Sequence, residues 1–290
     1  MVLSKFEYIR AKTTDEAINL LLELGDGAKI LNGGTDIIPP MNDGLISPKY
    51  LIDIKELPDM NYLEHDEKDG LRIGALTKLR TIEFSKMVWE KNPSVAQAAK
   101  YVASSQVRAK GTMAGNICNA SPSCDTAPIL IAQNAKVMAR RLENTVSIPA
   151  VEFFKGVKKT VLEQGQIVTG IIIPPLGKNE CATYIKHSVR KAMDLAIVGV
   201  AVWLKMEGKK CVDCRIALGA VATTPIRAPE AEKIIIGTEL TDDVLGKAAV
   251  AAMNSCRPIS DVRASAEYRA DMVRVFTKRA VKKALEGYQV

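Results

Sequence analysis

Only two histidines, His65 and His187, occur among the 290 residues, and they are not spaced as the second ligand pair that a tetrahedral metal site would need beside the CxxC of Cys211 and Cys214. The six cysteines are otherwise scattered and show no four-thiolate spacing of an iron–sulfur cluster. Around Cys211 and Cys214 the residues read as a strand, whose alternation is expected to point the two thiols to opposite faces. All six are expected to be reduced and mostly buried rather than bridged. No run approaches the ~20 apolar residues of a membrane span, and the first ten residues lack the apolar centre of a secretory signal. A cytoplasmic protein is the expectation. Internal repeats and low-complexity tracts are missing as well. So are the GxGxxG turn and the GxxxxGK loop, which removes the basis for a Rossmann-type NAD site or a P-loop nucleotide hydrolase.

What is present suits a globular protein of two domains: 47% hydrophobic and 25% charged residues over a length beyond a single typical domain. The net charge of +7 comes from 40 basic residues interleaved with 33 acidic ones, which reads as a solvated basic surface suited to an acidic partner protein. The densest basic stretch, residues 274–283, alternates with Val275, Phe276 and Val281 as the wet face of an amphipathic C-terminal helix would.

The chain opens with a strand at residues 6–10. Thr13 and Glu16 then form a capping box for a helix carrying Ala17, Leu20, Leu21 and Leu24 on one face, ended by Gly25. With strands at 30–31 and 50–54 this makes a small βαββ-like unit. A second region starts near residue 71, with a helix after Thr77 and another from Ser94, where Gln97 supplies a second capping box. The polar stretch 104–128 has no steady period and reads as a long functional loop. Strands follow at 135–140 and 166–173. Pro174-Pro175 and the polar run 177–180 mark the domain boundary. Beyond it strands at 182–186, 196–205 and 211–221 precede helices at about 241–256 and 265–286, an α+β order.

Two constellations carry chemistry. Asn32-Gly33-Gly34-Thr35-Asp36 follows a strand directly, and two residues without Cβ atoms let the backbone bring its N–H groups close to an anion such as a diphosphate. Taken alone it reads more readily as a commonplace Gly-Gly turn between two strands. The run 105–125 adds small residues, hydroxyls, amides and the carboxylate of Asp125, a set able to meet phosphate and sugar oxygens. Two such cradles suit a dinucleotide.

Together with residues 186–196, residues 216–221 and Thr224-Pro225-Ile226-Arg227-Ala228, these motifs make the chain resemble, over essentially its whole length, the FAD-binding subunit of molybdenum hydroxylases of the xanthine dehydrogenase and carbon monoxide dehydrogenase type. The resemblance implies an α+β fold: a two-subdomain FAD-binding domain of the vanillyl-alcohol-oxidase type over 1–176 (subdomains about 1–55 and 56–176), then a smaller α+β domain over 177–290 with an antiparallel sheet and helices. It implies that Lys29, Ile30, Leu31, Asn32, Gly33, Gly34, Thr35, Asp36 and Ile37 form a first pyrophosphate loop. Thr112, Gly115, Asn116 and Asp125 would form the second segment, with Cys118 near the flavin. Val102 and Ala103 match positions close to the adenine, Ile171 and Ile172 a hydrophobic wall, and Lys186 a lysine near the flavin ring. The family has two glycines before the Asn of its TxGGN segment, where this chain has Ala114. One methyl group fits only if that residue does not need a positive φ. His187 is expected to turn away from the flavin if Lys186 faces it, and no general acid or base is assigned, because the cofactor carries the chemistry.

As implied by the family, substrate is hydroxylated at a molybdopterin cofactor in a large partner subunit. Electrons cross two [2Fe-2S] clusters in a small partner subunit, reach FAD in this chain and pass to NAD+, a quinone, oxygen or another acceptor. The assembly would be a dimer of heterotrimers. Residues 224–228 lean toward a purine or other N-heterocycle as substrate, with aldehydes and carbon monoxide open. A self-sufficient flavin oxidoreductase of the same fold is the alternative, and a basic protein binding nucleic acid through its C-terminal helix is a third reading.

Overall fold

The computed structural model describes residues 4–190 and 192–288, so Lys191 of the 186–196 motif lies outside the described residues. The first region runs through β1 (Glu7–Arg10), α1 (Thr14–Leu24), β2 (Ala28–Leu31), α2 (Ile38–Asn42) and β3 (Tyr50–Asp53). Its strands form a three-stranded sheet in the order β1-β3-β2, with both pairings parallel. Parallel neighbours need a crossover, which α1 supplies between β1 and β2. Thr13 Oγ1 accepts from the Glu16 N–H at 3.1 Å and Glu16 returns a bond to the Lys12 N–H at 2.7 Å. The helix thus begins where the capping residues require, and Gly25, at φ +58°, ends it. Its buried stripe is Ala17, Ile18 and Leu21, while Leu20 and Leu24 stay half-buried.

The second region contains β4 (Leu63–Asp66), β5 (Gly70–Gly74), α3 (Leu79–Phe84), α4 (Lys86–Lys91), α5 (Pro93–Tyr101), α6 (Ser105–Arg108), α7 (Met113–Cys118), α8 (Ala127–Ala132), β6 (Lys136–Arg141), β7 (Asn144–Pro149), β8 (Phe154–Gly156), β9 (Lys159–Thr160) and β10 (Ile167–Ile173). Its main sheet is antiparallel in the order β4-β5-β10-β6-β7, and β8 and β9 form a separate hairpin. Two expectations need correction here. The capping box at Ser94 and Gln97 does not form, because Pro93 already occupies the first turn of α5 behind Asn92. Ser94 instead donates to Asn92 Oδ1 at 2.9 Å in a buried network with Gln133. The stretch 104–128 is not a structureless loop either. Ser104 and Thr112 each accept a backbone N–H from three residues on, and those caps start α6 and α7, helices too short to show a period.

The third region comprises β11 (Glu180–His187), β12 (Val198–Glu207), β13 (Lys210–Gly219), β14 (Ile226–Arg227), α9 (Pro229–Ile235), α10 (Asp242–Ser255) and α11 (Ala266–Glu286), with the antiparallel order β11-β12-β13-β14. The sheet is buried on both faces, which explains its near-continuous apolar strands. On one side Val200, Val202, Leu204, Ile216 and Leu218 pack with Val273, Val281 and Ala284 from α11. On the other, Tyr184, Ala201, Trp203 and Ala217 join the core of the second region, with α8 against β12 and β13. Each such Val, Leu or Ile contributes roughly 1.5–3 kcal/mol by leaving water, so the two domains share one continuous apolar seam.

The structure also overturns the expected placement of the CxxC thiols. Pairing between β12 and β13 shifts register at Lys205/Met206, Asp213 lying opposite Lys205 and Cys211 opposite Met206. This bulge resets the alternation, and Cys211 and Cys214 both enter the same core, 0% and 1% exposed. Among the described residues no group of three or more His, Cys, Asp or Glu side chains could hold a metal ion, and no helix is long and apolar enough to cross a membrane.

Candidate flavin site

The loop after β2 leaves the C-terminal end of a parallel strand, the edge at which such sheets present ligand sites. Lys29 is exposed, Ile30 half-buried and Leu31 buried, so only the last anchors the loop into the core. Residues 32–37 then turn into α2, with the Gly34 carbonyl accepting from the Ile37 and Ile38 N–H groups at 3.3 and 3.0 Å. Gly34 needs its φ of +76°, a left-handed conformation. Gly33 needs its bareness for another reason. A Cβ there would lie 2.4 Å from the Lys110 carbonyl oxygen and 2.8 Å from Gly111 Cα, both backbone. The two glycine-bearing segments, far apart in sequence, therefore touch at Gly33. Asn32 secures the contact, its Nδ2 donating to the Ala75 carbonyl at 2.9 Å and to Thr112 Oγ1 at 3.0 Å.

Among the described residues, the backbone N–H groups of Gly33, Gly34, Thr35 and Asp36 have no protein acceptor. Across the contact Thr112 caps α7 by accepting from the Gly115 N–H at 3.0 Å. Ala114 lies within α7 and is not among the positive-φ residues, so the methyl group that replaces the family's glycine causes no backbone strain. The Asn116 amide is oriented: its Oδ1 accepts from Thr126 Oγ1 at 2.7 Å and from the Cys124 thiol at 3.0 Å, which leaves its NH2 without a protein acceptor among the described residues. Thr112, Gly115 and Asn116 are thus brought together at the start of α7, with Thr35 Oγ1 beside Gly111.

Cys118, on α7, is partly accessible to water, but its dense surroundings desolvate the thiolate and push the thiol up to about 12. Burial likewise takes Cys124 up to about 11. Because the thiolate is the reactive form, the raised values favour the unreactive thiol at both positions. Iodoacetamide at mildly alkaline pH is expected to leave both unlabelled in the folded chain and to label both after denaturation. Peptide mass spectrometry reads the outcome, and labelling of either in the native chain would contradict the suppressed thiolate.

Val102 and Ala103 form the turn between α5 and α6, with Ala103 at φ +43°. Ile171 and Ile172 are adjacent on β10, so alternation sends them to opposite faces. Ile171 is 1% exposed in the core and Ile172 half-buried, and their side chains do not share one wall. Asp125 and Lys186 come together as an ion pair of 2.8 Å, both side chains 6% exposed. Asp125 also accepts from the Tyr184 hydroxyl at 2.9 Å. Lys186 donates further to the carbonyls of Tyr101 and Asp194 at 3.0 and 2.7 Å. Burial pushes the Asp125 carboxyl above the usual carboxylate range, against the opposing pull of Lys186 and of the Tyr184 hydrogen bond. This node joins both domains, and Lys186 reaches from it into a cleft of about 520 Å³ lined also by Tyr101 and residues 187–190 and 192–194. The His187 ring, at the edge of the cleft, is stacked on Phe276 at 4.7 Å with Nε2 3.1 Å from the Tyr268 hydroxyl, and burial, then Arg279, holds its imidazole below the usual value.

The motifs gave no sign of Tyr184, or of Glu83 in α3 and Lys158 in the β8–β9 turn. Lys158 Nζ donates to Asn119 Oδ1 at 2.6 Å, at the end of α7. Glu83 and Lys158 come from elements the motifs do not include, and Tyr184 lies on β11 just before the motif that begins at Lys186.

Residues 4–176 match the family described as the FAD binding domain in molybdopterin dehydrogenase. The chain belongs to the FAD-binding medium-subunit family of the molybdenum hydroxylases. Residues 183–284 match the C-terminal domain of carbon monoxide dehydrogenase flavoproteins. The chain is 36% identical over 278 residues to the glyceraldehyde dehydrogenase medium chain of Sulfolobus acidocaldarius, covering 96% of this chain and 98% of that one. It is 34% identical over 286 residues to the carbon monoxide dehydrogenase medium chain of Afipia carboxidovorans, covering 98% of each. Among solved structures, a carbon monoxide dehydrogenase chain from Hydrogenophaga pseudoflava superposes with a TM-score of 0.95 at 33% identity, covering 99% of both. The donor set fits the family's cofactor. A diphosphate needs N–H donors and close backbone approach, and the free N–H groups from Gly33 to Asp36 lie in a turn whose packing excludes a Cβ at Gly33.

Proposed function

We propose that this chain is the electron-transferring flavin subunit of a molybdenum hydroxylase complex, with residues 1–176 forming the FAD domain and 177–290 the C-terminal domain. The observation that carries the reading is the row of unpartnered N–H groups from Gly33 to Asp36 beside the capped start of α7. Residues 29–37 would grip the diphosphate from one side and Thr112, Gly115 and Asn116 from the other. The Val102–Ala103 turn and Cys118 would border the cofactor, and Ile172 rather than the core-facing Ile171 would offer it a side chain. Asp125 would act mainly by holding Lys186, which in turn fixes Tyr101 and Asp194 at the cleft.

FAD bound there supplies a carrier able to take up single electrons and release them in pairs, which suits it to link iron–sulfur clusters to an acceptor such as NAD+. The clusters and molybdopterin would reside in a small and a large partner subunit, assembled as a dimer of heterotrimers. The relatives' designation as medium chains supports such partners. The hydroxylation pocket then lies outside this chain. Relatives named for glyceraldehyde, carbon monoxide, xanthine and caffeine match at 36, 34, 29 and 28% identity, an order that lends the purine preference of residues 224–228 no support over an aldehyde or carbon monoxide.

The test is anaerobic addition of a panel of aldehydes, carbon monoxide and N-heterocycles to the chain co-purified with its companions. One compound is expected to bleach the yellow colour of the assembly and none to bleach the isolated chain. Steady turnover by the isolated chain would overturn the proposal in favour of a self-sufficient flavin oxidoreductase.

A further inference from the structure

Arg108 belongs to the glycine-bearing run, yet nothing above gives it a task. Its side chain is 12% exposed and grips Glu83, 8% exposed, with both arms: Nε to Oε2 at 2.8 Å and Nη2 to Oε1 at 3.2 Å. The remaining arm, Nη1, donates to the carbonyls of Val102 at 2.9 Å and Ala103 at 3.4 Å. Arg108 is the last residue of α6, so this short helix folds its own end back onto the turn that precedes it. That turn is strained. Ala103 sits at φ +43°, a conformation a residue with a Cβ holds only where its surroundings impose it.

Glu83 connects the turn to the rest of the site. It lies near the end of α3, whose first residue, Leu79, donates its N–H to the Gly111 carbonyl at 2.9 Å, while Lys78 bridges to Thr112. One helix therefore braces the 111–112 segment at its start and the 102–103 turn at its end. The bidentate fork matters, since a lysine would bring one charge but could not bond both carboxylate oxygens and two carbonyls in one plane.

We infer that the Arg108–Glu83 pair is a positioning device that presets the Val102–Ala103 turn and the 110–112 segment relative to each other for FAD. The inference rests on the flavin reading above. All three guanidinium nitrogens of Arg108 are engaged by Glu83 and the turn, so its effect is on the shape of the site.

The test compares the full-length chain with Arg108→Met, Arg108→Lys and Glu83→Gln, measuring FAD affinity by quenching of flavin fluorescence and the visible circular dichroism of bound flavin. Arg108→Met and Glu83→Gln are expected to weaken FAD binding tenfold or more and to change the visible signature, with far-ultraviolet circular dichroism unaltered. Arg108→Lys is expected to recover part of the affinity. Wild-type affinity and signature in Arg108→Met overturn the inference. Should Arg108→Met fail to fold, the same two readouts on Arg108→Lys decide, and wild-type values there overturn it. A wild-type chain that takes up no FAD removes the flavin reading itself and this inference with it, an outcome distinct from variants that bind as the wild type does.

Discussion

Replacing Gly33 with alanine is expected to leave the chain folded but nearly colourless. The added Cβ would lie 2.4 Å from the Lys110 carbonyl oxygen and 2.8 Å from Gly111 Cα, and backbone cannot swing aside as a side chain does. The segments at 32–36 and 110–112 must separate, at a cost of roughly 1–3 kcal/mol for forced overpacking. Separation also breaks the 3.0 Å bond from Asn32 to Thr112, the residue that caps α7. With ~1.4 kcal/mol for each factor of ten, FAD affinity should fall about 10- to 100-fold. Gly246→Ala is the control. It lies in the middle of α10 with open space where a Cβ would go, so it should stabilise the chain by about 1 kcal/mol and leave flavin affinity unchanged. Fluorescence titration of the flavin-free chain measures both. Wild-type affinity in Gly33→Ala would show that contact between the two segments is not what builds the site.

Replacing Lys186 with methionine is expected to produce the largest loss of stability at any charged position of the site. Removing one member of a buried pair leaves the other desolvated and uncompensated, typically ~3–5 kcal/mol, and Asp125 has few alternatives at 5% exposure. The carbonyls of Tyr101 and Asp194 lose their donor in the same step. The pH dependence gives a second signature. Burial already raises the Asp125 carboxyl in the folded chain, and Lys186 is the leading influence in the opposite direction. Without it the folded value climbs further. Below the unfolded carboxyl value of about 3.9 the group is neutral in both states and the extra penalty disappears. The penalty grows as pH rises from the unfolded value toward the folded one, where only the unfolded chain ionises the group freely, and is constant above the folded value. The stability gap between wild type and variant should therefore be narrow in acid and wide at neutral pH. Lys186→Met combined with Asp125→Asn should recover most of the loss, and denaturant unfolding across pH checks both. A pH-independent gap would remove Asp125 as its cause.

The fold was legible where single residues impose local structure. Thr13, Glu16 and Gly25 bound α1 as a capping pair and a left-handed stop should, and the Pro174-Pro175 break separates the antiparallel sheets ending at Ile173 and starting at Glu180. The sequence was opaque where tertiary partners decide. Ser94 could not be told from a cap, because its partner Gln133 comes from after α8. The bulge beside Cys211 depends on how β13 registers against β12. Within the candidate site, Gly33 and Thr112 were visible as motif residues, but their shared contact was not. Glu83 and Tyr184 look like ordinary helix and strand residues until Arg108 and Asp125 are seen against them.

Hydrogen exchange of the backbone amides, with and without added FAD, tests the two-cradle site most directly. The N–H groups of Gly33 to Asp36 have no protein acceptor among the described residues and should exchange freely in the flavin-free chain. On addition of FAD, protection should appear at residues 33–36 and at 113–116 together. Protection confined to one of these segments, or appearing only elsewhere in the chain, would contradict a diphosphate held between them.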